Sequence, residues 1–210
     1  MRIRPITPDA LVTELVDLVE AHSTGPWTRV AIDGAPEAGT AELADAMVDP
    51  LRVRGREAVR VRTRDYLRPA SLRLEHGHHD PDSYYRDWFD FDGLVREALA
   101  PLAAGGNGYV LPALRDPETG RSPRLARIPL QQRGVVLVDG PLLLGGSLPF
   151  DLTVHLWLAP ATLQRRTPQA QRWRLPAFDR YATEVIPERT ADCVVRVDRP
   201  GHPAVVDALS

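Results

Sequence analysis

The stretch Val30–Ala41, VAIDGAPEAGTA, limits what this chain can fold into more than any other. A short apolar run ends in Asp33-Gly34, a loop of small residues follows, and a helical pattern starts at once. That is the strand–loop–helix frame of a phosphate-binding loop. Gly34 and Gly39 keep the spacing G-x-x-x-x-G. A working loop continues with Lys, whose ammonium reaches the terminal phosphates, and Ser or Thr, whose hydroxyl ligates Mg²⁺. This chain continues with Thr40 and Ala41. Backbone N–H groups along Gly34, Ala35, Glu37, Ala38 and Gly39 and the start of the next helix suit an anion. Pro36 has no N–H to donate, however, and Glu37 brings a negative charge. The loop is either a weak anion site or a turn that binds nothing.

The segments around this frame define the fold class. Thr7-Pro8-Asp9 reads as a helix cap, and Leu11, Leu15, Leu18 and Val19 give a helix over 8–22 one apolar face. Leu43, Ala44, Met47 and Leu51 follow the loop at helical spacing. Ala58–Thr63 (AVRVRT) alternates at period two, as a strand near a sheet edge does, with its arginines on a solvated face or against an acidic ligand. The solvated face is the expectation. Arg64–Trp88 has no period, Phe91–Ala104 returns to helix, and Leu111–Leu130 reads as a hairpin or long loop. Gly134–Asp139, Leu152–Leu158 and Cys193–Val197 are strands, and Leu175–Val185 is a helix. Strands alternating with helices, several of them apolar throughout, predict an α/β P-loop-like three-layer sandwich with a mainly parallel central sheet. Arg29–Asp33 and Gly134–Asp139 should lie side by side at its centre.

Composition sets the outer bounds. With 210 residues, 43% hydrophobic and 26% charged, the chain suits one domain over 1–210, its core running from 29 to 197. A formal charge of −2 argues against a broad nucleic-acid surface. All 26 basic residues are Arg, so only guanidinium groups supply permanent positive charge. Cys193 is alone, which excludes an intramolecular disulfide and a cysteine-based zinc site and fits a reducing cytoplasm. The N-terminal residues lack the apolar core of a signal peptide. No run approaches the roughly 18–20 apolar residues of a membrane span. A soluble, cytoplasmic protein is expected.

Three further groups are candidate sites. Asp139 ends a buried strand, where an acid either holds Mg²⁺ or caps the following turn. His76, His78, His79, Asp80 and Asp82 cluster in a loop, but without a spacing that converges the rings, so a solvent-facing loop is expected over a metal site. Arg165, Arg166, Arg172 and Arg174 follow a buried strand as a phosphate clamp or as the wet face of a helix.

Taken in order, VAIDG, RDYLRP, SYYRDWFDFDGL, VVLVDG and PAFDRYATEVIPERTADCVV resemble the uridine kinase-like P-loop nucleoside kinases, from about Arg29 to Val197. The resemblance implies ATP and Mg²⁺ as cofactors and transfer of the γ-phosphate to a nucleoside 5′-hydroxyl. It puts the acceptor-deprotonating aspartate at Arg64, or at Asp65 if the register slips by one. It makes Asp90 a ribose contact, sets Arg115-Asp116 where the family often has Tyr-Asp, and leaves Arg172 and Arg174 as the remnant of an arginine-rich lid. Phosphoryl transfer rests on positioning and charge stabilisation, and the missing parts are those that meet the phosphates and the metal. The expected function is therefore a nucleotide- or phosphate-binding pseudokinase. Two alternatives stand beside it: an active uridine- or cytidine-type kinase in which arginines such as Arg64 or Arg172 replace the lysine, and a scaffold that pairs with another protein or its own copy and binds no nucleotide.

Overall fold

The computed structural model describes residues 2–146 and 148–207. One seven-stranded sheet has the spatial order β1 (Arg2–Pro5), β9 (Ala204–Asp207), β8 (Cys193–Arg196), β7 (Leu152–Trp157), β2 (Thr28–Asp33), β6 (Val135–Gly140), β3 (Ala58–Arg62). β2 pairs parallel with both β6 and β7, so the strand that feeds the loop is central and lies beside Gly134–Asp139 as expected. β3 pairs only with β6, which puts AVRVRT at the sheet edge. β1 and β9 lie outside the expected 29–197 core and pair antiparallel with each other, β9 also with β8. Their four-residue patterns, RIRP and AVVD, are too short to carry a period.

Side chains alternate across each strand, and in the middle of β2 and β6 both sets are apolar, so helices cover both faces. Leu11, Leu15, Val16 and Val19 of α1 (Pro8–Ala21), with Ala44, Met47 and Leu51 of α2 (Thr40–Val53), share one core with Val30, Ile32, Val135 and Leu137. Thr7 caps α1, its hydroxyl accepting from the Ala10 N–H at 3.3 Å. After β3 come two short helices, α3 (Ala70–Arg73) and α4 (Pro81–Arg86). A longer helical run follows: α5 (Phe91–Leu94), a π turn Val95–Leu99 and a 3-10 turn Ala100–Leu102. Its Leu94, Ala98, Leu99 and Leu102 cover Ala31, Val136 and Val138 on the opposite face.

The stretch read as a hairpin or long loop is closed at its base by a two-residue ribbon, β4 (Tyr109–Val110) against β5 (Ile128–Pro129). Beyond β7 lie α6 (Pro160–Arg166), a 3-10 stretch Gln169–Arg174, α7 (Leu175–Glu184) and α8 (Pro187–Thr190). The parallel strands end together at one edge of the sheet, and the crevice outside such carboxyl ends is where α/β folds bind ligands. Among the described residues no helix is long and apolar enough to cross a membrane.

Candidate functional site

β2 ends at Asp33, which is fully buried. The chain leaves through Gly34, where a Cβ would come within 2.9 Å of the Leu156 carbonyl oxygen, so the close approach requires glycine. Pro36–Ala38 form a 3-10 turn, and Gly39, at φ +85°, turns the chain into α2. The turn uses donors that a phosphate would need: the Ala38 N–H donates to Ala35 at 2.8 Å and the Gly39 N–H to Pro36 at 3.3 Å. Pro36, Ala38 and Gly39 therefore offer an anion no free N–H. Thr40 is buried, and Ala41 contributes no hydroxyl.

Glu37 is folded into the site. Its side chain is only 10% exposed, and Oε1 lies 3.5 Å from Arg174 Nη2. Its main-chain oxygen accepts from Arg166 Nη1 at 3.3 Å, while Arg166 Nη2 also holds Val197 and Asp198. Of the expected lid residues, Arg174 reaches the loop. Arg172 bonds Thr167 at the base of its own segment, and Arg166 takes the second loop contact. Between them Trp173 packs 5.3 Å from Trp88 and 5.6 Å from Tyr84, ring centre to ring centre, latching the segment onto the region of α4.

Asp139 closes β6. Both carboxylate oxygens accept from Arg60, at 2.6 Å from Nε and 3.0 Å from Nη2, and Arg60 Nη1 also reaches Asp45 of α2 at 2.6 Å. Burial pushes the Asp139 carboxyl above its ordinary range, and the Arg60 guanidinium pulls the other way. Arg60, on AVRVRT, thus faces two carboxylates instead of the expected solvated face; its side chain is 18% exposed. Asp139 accepts from no N–H of the following turn, each of its oxygens is engaged by Arg60, and among the described residues no three His, Cys, Asp or Glu side chains converge to hold a metal ion. His76, His78 and His79 are exposed, Asp80 caps α4, and Asp82 pairs with Arg180.

At the position expected to meet an acceptor, Arg64 is exposed and Asp65 is buried, so the inward-facing residue of the pair is the acid. Arg62 Nε donates to Asp65 Oδ2 at 2.6 Å, and the Asp65 main-chain oxygen accepts from the N–H groups of Leu114 and Arg115. Arg115 donates from Nη1 to Gly120, and Asp116 accepts from the N–H groups of Glu118 and Thr119, capping that turn. Asp90 caps α5 through a 2.8 Å bond from Gly93. Buried polar atoms are nearly always paired. Those without a partner among the described residues are Glu37 Oε2, Asp65 Oδ1, Arg115 Nε and Ser83 Oγ, and all but the last belong to residues singled out in the sequence.

Sequence reasoning missed a polar knot beneath the loop. Asp33 Oδ1 accepts from the Leu143 N–H at 2.9 Å; Oδ2 lies 2.7 Å from His155 Nδ1 and 3.0 Å from the Tyr181 hydroxyl. Tyr181 accepts in turn from the Leu144 N–H, and burial beside Asp33 pushes its hydroxyl far above the usual phenol range. An acid at the end of an otherwise apolar strand and a histidine inside LTVHLW were the available signals, since buried polar groups require partners.

The mainly parallel sheet, the loop after β2 and the helix that leads from it make an α/β fold shared with solved structures of kinase-like proteins. It is similar to a possible uridine kinase from Bacillus stearothermophilus at TM-score 0.70 and 19% identity, over 87% of this chain and 96% of that one. It is also similar to a proposed fructose transport system kinase from Silicibacter sp. TM1040 (TM-score 0.57, 21% identity, 89% and 96% covered). The YGR205w protein matches at TM-score 0.52 and 11% identity, with 91% and 93% covered. No protein-family model and no curated protein sequence matches the chain.

Proposed function

We propose that this chain is a uridine kinase-like P-loop protein that has lost ordinary phosphoryl transfer and works as a pseudokinase, a small-molecule binder. The observation that carries this reading is Glu37: a loop that should receive a phosphate contains its own carboxylate, nine-tenths buried and held against Arg174. ATP and Mg²⁺ do not fit the residues present. Three loop positions have no donor to give, Ala41 lacks the hydroxyl, and Arg60 holds both oxygens of Asp139. The acceptor side keeps what binding needs, because Asp65 Oδ1 and Arg115 Nε are buried with no partner among the described residues. A buried acceptor and donor of this kind favour a ligand bearing a hydroxyl and a carbonyl, as a nucleoside does.

Thermal stabilisation tests the reading, since a ligand that binds only the folded state raises the melting temperature by mass action. Uridine or cytidine should raise it and ATP with Mg²⁺ should not. Strong stabilisation by ATP would overturn the loop argument, and none by any nucleoside would favour a scaffold.

One observation favours the active-kinase alternative. A buried carboxylate with one oxygen unpaired, at or beside the family's base position, is what a hydroxyl-deprotonating group requires. In that reading Asp65 is the base, and Asp65→Asn abolishes turnover.

A further inference from the structure

We infer that the cavity behind the loop, under His155, is a binding site for a small uncharged molecule with an apolar body and a single O–H or N–H donor. This goes beyond the kinase-like reading and does not depend on it. The cavity measures about 190 Å³ and lies between the end of β7 and helices α6, α7 and α8. Leu142, Leu156, Leu158, Leu163, Phe178 and Pro187 form most of its wall. An apolar cavity of about 150 Å³ accepts benzene, so this one takes a six-membered ring with one small substituent.

His155 fixes the polar requirement. Its residue is 7% exposed and lines the cavity. Tyr181 accepts from Leu144, so its own hydrogen points to Asp33; Asp33, an acceptor when ionised, also takes the Leu143 N–H and faces His155 Nδ1 at 2.7 Å. The Nδ1 hydrogen is thereby directed at Asp33, and in the neutral ring Nε2 is left as an acceptor. No group among the described residues bonds Nε2. The exposed Asp179 and the half-buried Glu188 add negative charge to the lining, which disfavours an anion.

The probes are phenol, benzene and benzoate, titrated against the full chain and followed by melting temperature and by the His155 ring resonances. Phenol should bind about tenfold more tightly than benzene, the effect of one net hydrogen bond, and benzoate should not bind. His155→Phe should reduce phenol to the level of benzene. If that variant fails to fold because Asp33 loses its partner, Ala182→Trp serves instead: Ala182 is an exposed lining residue of α7, and the indole should block the cavity in a folded protein. No saturable phenol binding, equal affinity for phenol and benzene, binding of benzoate, or binding that survives Ala182→Trp would overturn the assignment.

Discussion

Glu37 Oε1 lies 3.5 Å from Arg174 Nη2, joining the turn after β2 to the arginine-bearing stretch Gln169–Arg174. Arg166 adds a second contact, to the Glu37 main-chain oxygen. A phosphate arriving at this loop needs the loop's donors and the cations of that segment. The 3-10 turn uses the N–H groups of Ala38 and Gly39, and Glu37 engages Arg174 and Arg166.

Removing the carboxylate should open the site to anions. Glu37→Ala is expected to tighten orthophosphate binding roughly tenfold, the equivalent of ~1.4 kcal/mol, from a weak or undetectable level in the parent. Amide shifts of residues 35–41 during a phosphate titration report it. Tight binding by the unmodified chain would contradict the account.

Arg60 should be structural. Arg60→Met leaves the Asp139 carboxylate, 6% exposed, without its two charge-assisted bonds. The expected loss is about 3 kcal/mol, as for a buried ion pair broken on one side. Adding Asp139→Asn should recover part of that loss, because the uncompensated charge is gone. Urea unfolding of the single and double variants measures the coupling, and strict additivity would mean that the pair is not one.

Tyr181→Phe should cost about 1–3 kcal/mol, because the Leu144 N–H is left buried without its acceptor. The Leu144 amide should also exchange faster with solvent. An unchanged unfolding midpoint and unchanged exchange would argue against the knot around Asp33.

The turn at Asp116 makes a prediction in pH. Its carboxyl is held below the usual range by the N–H groups of Thr119 and Glu118. A carboxylate with a lower pKa folded than unfolded stabilises the fold above its unfolded value of about 3.9 and loses that effect as pH falls through the folded value. Asp116→Ala should therefore lower the melting temperature at neutral pH and match the parent in strong acid. A difference that persists at low pH would assign the effect to something other than the charge.

The centre of the fold was legible because Val30–Ile32 of β2 and Val135–Val138 of β6 are apolar on both faces and each run is followed by Asp-Gly, as in strands buried inside a parallel sheet. The edge position of β3 followed from its alternation. The terminal strands were not legible, being four residues long and held by antiparallel pairing across the whole chain. In the site, the loop and its missing side chains could be read directly. What Arg60 and Asp33 do could not, because a period shows which face a residue occupies but not which carboxylate the neighbouring strand brings there. Asp90 illustrates the same gap: its motif placed it before a helix, and the structure makes it that helix's cap.

The central claim is that this fold no longer transfers phosphate, and ADP release with a nucleoside panel tests it most directly. With ATP, Mg²⁺ and uridine or cytidine, the unmodified chain should release no ADP above the nucleoside-free background, and no phosphorylated nucleoside should form. Thr40→Lys alone should restore nothing, because Glu37 still engages Arg174 and Arg60 still holds Asp139. Robust nucleoside-dependent turnover by the unmodified chain, abolished by Asp65→Asn, would contradict the account and make Asp65 the base of a working kinase.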